Sequence, residues 1–180
     1  MNAFASAQTI AVALVSAAMV HSSPANAELV GDCSKAVGTF LTKNDLDNNA
    51  RAGTSRSLLV LTNGGHALRF DSDQRAATMD SRSFGDSAGT WRCDGVDDDG
   101  TVRLTVSTLD FTYPDAEGDP GQIARIDATG TYSPATETMK LDGKLAFLPM
   151  DSDPQEASAL SKAPSTIPVI VTGQRIDLPE

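Results

Sequence analysis

From residue 37 onward, apolar and polar residues alternate with a period of two, the pattern of strands that bury one face. Eight segments carry it: 37–43, 56–62, 65–71, 88–94, 101–113, 122–133, 138–149 and 168–178. Turn residues separate them. Asn63-Gly64 predicts a two-residue type I′ hairpin between the second and third segments, placing His66, Leu68 and Phe70 on the inner face. Asp97-Asp98-Asp99-Gly100, then a stretch with Gly118, Pro120 and Gly121, then Ser133-Pro134-Ala135-Thr136 join later segments.

In the fifth segment Val102, Leu104 and Val106 share a face. Leu109, Phe111 and Tyr113 continue it after a one-residue slip, which predicts a β-bulge near Ser107-Thr108. Ala124, Ile126, Ala128, Gly130 and Tyr132 line up in the sixth segment, and Met139, Leu141, Gly143, Leu145 and Phe147 in the seventh. On this reading every Asp of segments five to seven falls on the polar face. Asp153-Pro154-Gln155-Glu156 opens a two-turn helix to about Lys162. Eight strands in sequential hairpins predict an all-β, antiparallel up-and-down barrel, with a two-sheet β-sandwich as the alternative.

Residues 1–27 differ from the rest. They hold no Lys, Arg, Asp or Glu, and Ile10 to Val20 is nearly all apolar or small before Ala25-Asn26-Ala27. A short apolar run followed by A-x-A reads as a signal peptide, although no Lys or Arg precedes the run. Residues 28–180 then form a single barrel domain, periplasmic or extracellular. That part carries all 24 acidic and 14 basic residues, a net charge of −10. Such a surface repels phosphate backbones, which argues against nucleic acid as a partner. No later stretch reaches transmembrane length, so no integral membrane segment is expected.

Cys33 and Cys93 are the only cysteines, which in an exported chain predicts a disulfide. No C-x-x-C is present, and His66 is the one histidine after residue 27, so neither a redox pair nor a zinc site is expected. Asp45-Leu46-Asp47-Asn48-Asn49-Ala50 begins like a calcium loop, but Ala50 replaces the turn glycine and Arg56 stands where the bidentate Glu belongs. It and Asp97–Gly100 read as solvated turns. No metal and no cofactor are predicted.

The strand order, with Gly38-Thr39-Phe40 in the first segment and Arg175 in the eighth, resembles the calycin superfamily of lipocalin-like barrels. Lipocalins open their first strand with G-x-W and carry an Arg after the last strand that packs over that Trp. Here the Trp version, Gly89-Thr90-Trp91, sits on the fourth segment, and the long helix that follows the last lipocalin strand is missing. The run Ile126-Asp127-Ala128-Thr129-Gly130-Thr131-Tyr132 is similar to the barrels of allene oxide cyclase and dirigent proteins. Both resemblances imply a barrel more than an activity.

Catalytic chemistry has little to stand on. There is no G-x-S-x-G, and the only polar groups expected deep inside are Tyr113, Tyr132 and His66. The expectation leans away from an enzyme. An eight-stranded barrel either fills with side chains or holds one small ligand. Trp91, Leu104, Val106, Leu109, Phe111, Tyr132, Leu145 and Phe147 would line such a cavity. The expected function is an exported lipocalin-like barrel binding a small apolar ligand. The alternatives are a filled structural or interaction barrel without ligand, and an allene-oxide-cyclase-like enzyme.

Overall fold

The computed structural model describes residues 31–46, 55–72, 74, 83–114, 118, 120–156, 159–163 and 166–177. The predicted signal peptide and most of the Asp45–Ala50 loop lie outside them. A short 3-10 helix, Gly31–Ala36, precedes eight strands: β1 (Gly38–Leu46), β2 (Ser55–Leu61), β3 (His66–Asp71), β4 (Ser87–Val96), β5 (Val102–Phe111), β6 (Gln122–Ser133), β7 (Thr138–Pro149) and β8 (Thr166–Arg175). Each pairs antiparallel with the next, and β8 returns to pair with β1, so the sheet closes as an up-and-down barrel. Closure leaves no strand with an unpaired edge.

The barrel has two unlike ends. The β2–β3, β4–β5 and β6–β7 hairpins lie at one, together with the 3-10 helix. At the other lie the longer connections β1–β2, β3–β4, β5–β6 and β7–β8. The β7–β8 connection holds α1 (Ala159–Lys162), a single turn where two were expected. The Asp153 carboxylate accepts from Gln155 N at 2.9 Å, but this capping residue starts a turn and the chain becomes helical only later.

The β2–β3 hairpin differs from expectation in a way that matters. Thr62 N donates to His66 O at 2.9 Å, and Gly65 N donates to Thr62 O at 3.1 Å. The loop therefore holds three residues, with Gly65 at φ 76° in the left-handed position that closes such loops. The β4–β5 hairpin repeats this geometry around Gly100 at φ 82°. The extra residue shifts the β2–β3 register by one: Leu61 pairs with Ala67, and Leu59 with Arg69. A one-residue shift exchanges the two faces of a strand. Ala67, Arg69 and Asp71 thus point inward, while His66, Leu68 and Phe70 are exposed.

A second correction falls on β5. No bulge occurs at Ser107-Thr108. The strand pairs with β6 without interruption from Val102 to Phe111, and the irregularity lies in β4 at Cys93/Gly95. Gly89 lets the two backbones approach instead, because a Cβ there would sit 1.9 Å from Ser107 O. With no slip, the inward face runs Val102, Leu104, Val106, Thr108, Asp110 and then Thr112. Leu109 faces outward, Phe111 is 55% exposed and Tyr113 58%.

The main core fills the hairpin end. Phe40, Leu59, Leu61, Trp91, Leu104, Tyr132 and Leu141 are among its buried residues, and Ala36 of the 3-10 helix packs onto it. The Cys33–Cys93 disulfide ties that helix to β4, with Cα atoms 5.9 Å apart. Outside the barrel, Ala159 and Ala163 cover Ile123, Leu148 and the outward side of Leu109 in a smaller apolar cluster. No helix of the described residues is long and apolar enough to cross a membrane.

Candidate functional site

The inner face changes character along the barrel. At the hairpin end the Phe40 and Tyr132 rings meet edge-on at 5.3 Å. The Arg175 guanidinium lies over both, 5.4 Å and 5.2 Å from their centroids. Its Nε donates to the Tyr132 hydroxyl at 2.8 Å, and its other nitrogens donate to the carbonyls of Val37 and Lys35. Trp91 Nε1 donates to Thr62 O at 2.8 Å. Every polar atom in this layer that comes with a large ring has found a partner, so the layer behaves as a filled core.

Between the two ends lies a cavity of about 20 Å³, lined by the polar Thr42, Arg69 and Thr108 and by Leu59, Val106, Ile126 and Leu141 among others. It has room for one water molecule. Clefts that enclose drug-sized ligands run to roughly 300–1,000 Å³.

Beyond the cavity, toward the long connections, β1 to β5 turn polar side chains inward. Asn44, Ser55, Ser57, Asp71, Ser87, Thr108 and Asp110 are all buried there. Arg69 donates to Asp71 Oδ1 through Nε (3.0 Å) and Nη2 (2.6 Å), and Ser57 Oγ donates to the same oxygen. Asn44 Nδ2 reaches Asp71 Oδ1 at 3.3 Å, Ser55 Oγ at 3.0 Å and Ser57 Oγ. The Arg69–Asp71 pair is thus a buried ion pair braced by neutral donors.

Asp110 stands apart from that network. Ser87 Oγ donates to its Oδ2 at 3.0 Å. Its Oδ1 is buried and has no partner among the described residues, and the same holds for Asn44 Oδ1. Burial pushes the Asp110 carboxyl up to about 6. The Ser87 hydrogen bond and the Arg69 charge oppose the rise, and the Asp71 charge adds to it. An unmatched buried acceptor costs on the order of 1–3 kcal/mol. The two stand on β1 and β5, four strands apart around the barrel.

Opposite this polar wall the inner face of β6 to β8 is apolar. The pleat that buries Leu141 continues inward through Gly143 to Leu145 and Phe147, with Leu145 paired to Ile126 and Phe147 to Ala124. Leu145, Phe147 and Ile167 are only partly buried. The long-connection end therefore presents an acidic, hydrogen-bonding wall facing a hydrocarbon wall.

Of the residues expected to line a ligand cavity, Trp91, Leu104, Val106 and Tyr132 are buried in the main core. Leu145 and Phe147 face the polar wall, and Leu109 and Phe111 lie outside the barrel. Alternation missed Asn44, Ser57, Arg69, Asp71, Ser87 and Asp110, because polar residues alternating with Leu or Phe read as the solvent face. The true loop length at Asn63-Gly64-Gly65 would have exposed the error on β3.

No protein-family model, curated protein or solved structure matches this chain.

Proposed function

We propose that this chain is an exported, calycin-like barrel that binds a small amphiphile at its long-connection end. The ligand's polar group meets Asp110, and its hydrocarbon part lies against Phe147 and Leu145 on β7, two strands away through Ala124. The observation that carries this reading is that two buried acceptors in the barrel interior, Asp110 Oδ1 on β5 and Asn44 Oδ1 on β1, lack donors among the described residues, while the inner face of β6 to β8 is apolar. A domain that needed only stability would gain by placing Leu58 and Phe111 inside and Ser57 and Asp110 outside, yet the chain does the reverse. Arg175 over Phe40 supports the calycin resemblance, with Phe40 in the place of the lipocalin Trp. Export is supported by the signal-like residues 1–27 and by the disulfide.

The ligand differs from the purely apolar one that alternation suggested. Among the described residues the hairpin end is filled around Trp91 and the cavity beyond it is water-sized, so a long, hydrocarbon-only ligand does not fit beside Trp91. Titrating labelled protein with 2-phenylethanol tests this by NMR. Saturable shifts are expected at Asp110, Leu145 and Phe147, with the Trp91 indole signal unmoved. Shifts centred on Trp91, or none anywhere, would overturn the reading.

A second reading has its own observation. On the outer wall Leu41 pairs with Leu58 and Leu58 with Phe70, all exposed, and exposed Leu68 lies beside them on β3. Contiguous exposed apolar residues mark interaction surfaces. If 2-phenylethanol or a concentration series perturbs only these residues, the barrel acts through its outer wall.

A further inference from the structure

We infer that Asn63 is a modification site: its carboxamide closes onto the Gly64 backbone nitrogen, releases ammonia, and leaves aspartyl and isoaspartyl forms of the β2–β3 loop. The site lies at the hairpin end and does not depend on the ligand proposal.

Asn63 is the one asparagine of the chain that is followed by glycine. The reaction needs a carboxamide free to turn, a neighbouring backbone N–H not committed to an acceptor, and no side chain to obstruct the approach. The three-residue loop supplies all of these. Asn63 and Gly64 are both exposed. The loop's hydrogen bonds are made by Thr62 and Gly65 on either side, and no acceptor among the described residues takes the Gly64 N–H. The matching β4–β5 loop sets the contrast. There the glycine is the third loop residue, so Gly100 N donates to Asp97 O at 2.9 Å, and the Asp99 carboxylate accepts from Thr101 N at 2.9 Å. Asn44 is held as firmly: it is 2% exposed, and its Nδ2 donates to Ser55, Ser57 and Asp71.

In the first step the Gly64 nitrogen gives up its proton and bonds to Asn63 Cγ. The Cγ–Nδ2 bond breaks, and ammonia leaves with the proton. Water then opens the resulting five-membered imide. Attack at Cγ restores the ordinary chain with aspartate, and attack at the backbone carbonyl carbon routes the chain through Cγ as isoaspartate. The sum is amide plus water to acid plus ammonia, and each product adds one negative charge to a net of −10.

The isoaspartyl path is longer by one backbone atom, and Trp91 is tied to both sides of it. Trp91 Nε1 donates to Thr62 O and Trp91 N to Gly65 O, each at 2.8 Å. Lengthening the chain between those carbonyls shifts at least one of them.

The test incubates the intact disulfide-bonded protein at pH 8 and 37 °C beside the same protein in urea. Peptide mass mapping should place a one-dalton gain at Asn63, at least tenfold faster than at Asn44 and within a few-fold of the rate in urea. The isoaspartyl form, separated by anion exchange, should show a shifted Trp91 indole NMR signal, whereas Asn63→Asp, with the ordinary linkage, should not. Gly64→Ala should slow the reaction at least tenfold with an unchanged circular dichroism spectrum. A Cβ there meets His66 and Thr62 no closer than 3.4 Å, and Gly64 does not occupy the left-handed region. A folded protein that converts far more slowly than the chain in urea would overturn the inference, because the loop would then hold the pair apart. Undiminished conversion in Gly64→Ala would overturn it as well.

Discussion

At the hairpin end of the barrel, Phe40, Leu61 and Leu104 point inward and are almost fully enclosed. Further along the same strands, Asn44, Ser57 and Asp110 take the inward positions, and Leu41, Leu58 and Phe111 face solvent. Strand geometry is shared, so the difference lies in what each layer must do. The hairpin end has a disulfide, a 3-10 plug and an Arg175 clasp, and it supplies the stability. The opposite end gives up apolar burial to keep a polar wall, which costs stability.

The sharpest way to break this contrast is to remove the cation of the polar wall. Arg69→Met leaves Asp71 buried with only neutral donors, and unfolding stability should drop by about 3–5 kcal/mol in a denaturant melt. Arg69→Met combined with Asp71→Leu should recover much of that, because an apolar pair of similar volume carries no buried charge. If the single variant loses under 1 kcal/mol, the pair is solvated and the wall is not buried.

At the other end, Cys33→Ser with Cys93→Ser opens a loop whose ends are 60 residues apart. Chain-entropy arithmetic gives a loss of about 4 kcal/mol, or a fall in Tm of roughly 8–16 °C. Smaller and more local is the comparison of Leu104→Ala with Leu58→Ala. Leu104 is 1% exposed and should lose about 3 kcal/mol; Leu58 is 40% exposed and should lose under 1. Similar losses would mean that the two faces of the wall are not distinct.

The strand count, order and approximate limits were legible because alternation is a local signal and the turn residues punctuate it. Sidedness was not. Alternation divides a strand into two faces but does not say which is inside, and the apolar face is the default choice. On β3 that choice depended on loop length: a two-residue loop puts His66 opposite Leu61, whereas the observed three-residue loop puts Ala67 there and turns Arg69 and Asp71 inward. On β5 the run Leu109-Asp110-Phe111 looked apolar enough to call for a bulge that is absent. The β5 error falls at the long-connection end, where the chain departs from the apolar-inside rule, whereas the β3 error begins at the β2–β3 hairpin, with Ala67, and runs on to Arg69 and Asp71. Trp91, Leu104, Val106 and Tyr132 do point inward as alternation suggested, but as members of the packed core, because there the rule holds.

The same end should carry a pH signature. Folded Asp110 titrates at about 6, above its ordinary 3.8, so between those values the folded protein holds a proton that the unfolded chain has lost. Stability from this group is therefore fully present below pH 4, declines as pH rises through 4–6, and stays lost above. The span is on the order of 2–3 kcal/mol. Asp110→Asn should remove this slope and raise stability at pH 7.5 by a similar amount. Asp94, held below the ordinary carboxylate range by the Thr105 hydroxyl and then by Arg92, changes stability only under more acidic conditions.

The side-chain carboxyl of Asp110 reports most directly whether the barrel reverses its polarity at this end. Its titration can be followed by carbon-detected NMR on ligand-free protein. With the side chain inside, beside Ser87 and facing Arg69 and Asp71, the midpoint falls near pH 6. A midpoint near 4, the value of an outward carboxylate, would contradict the account.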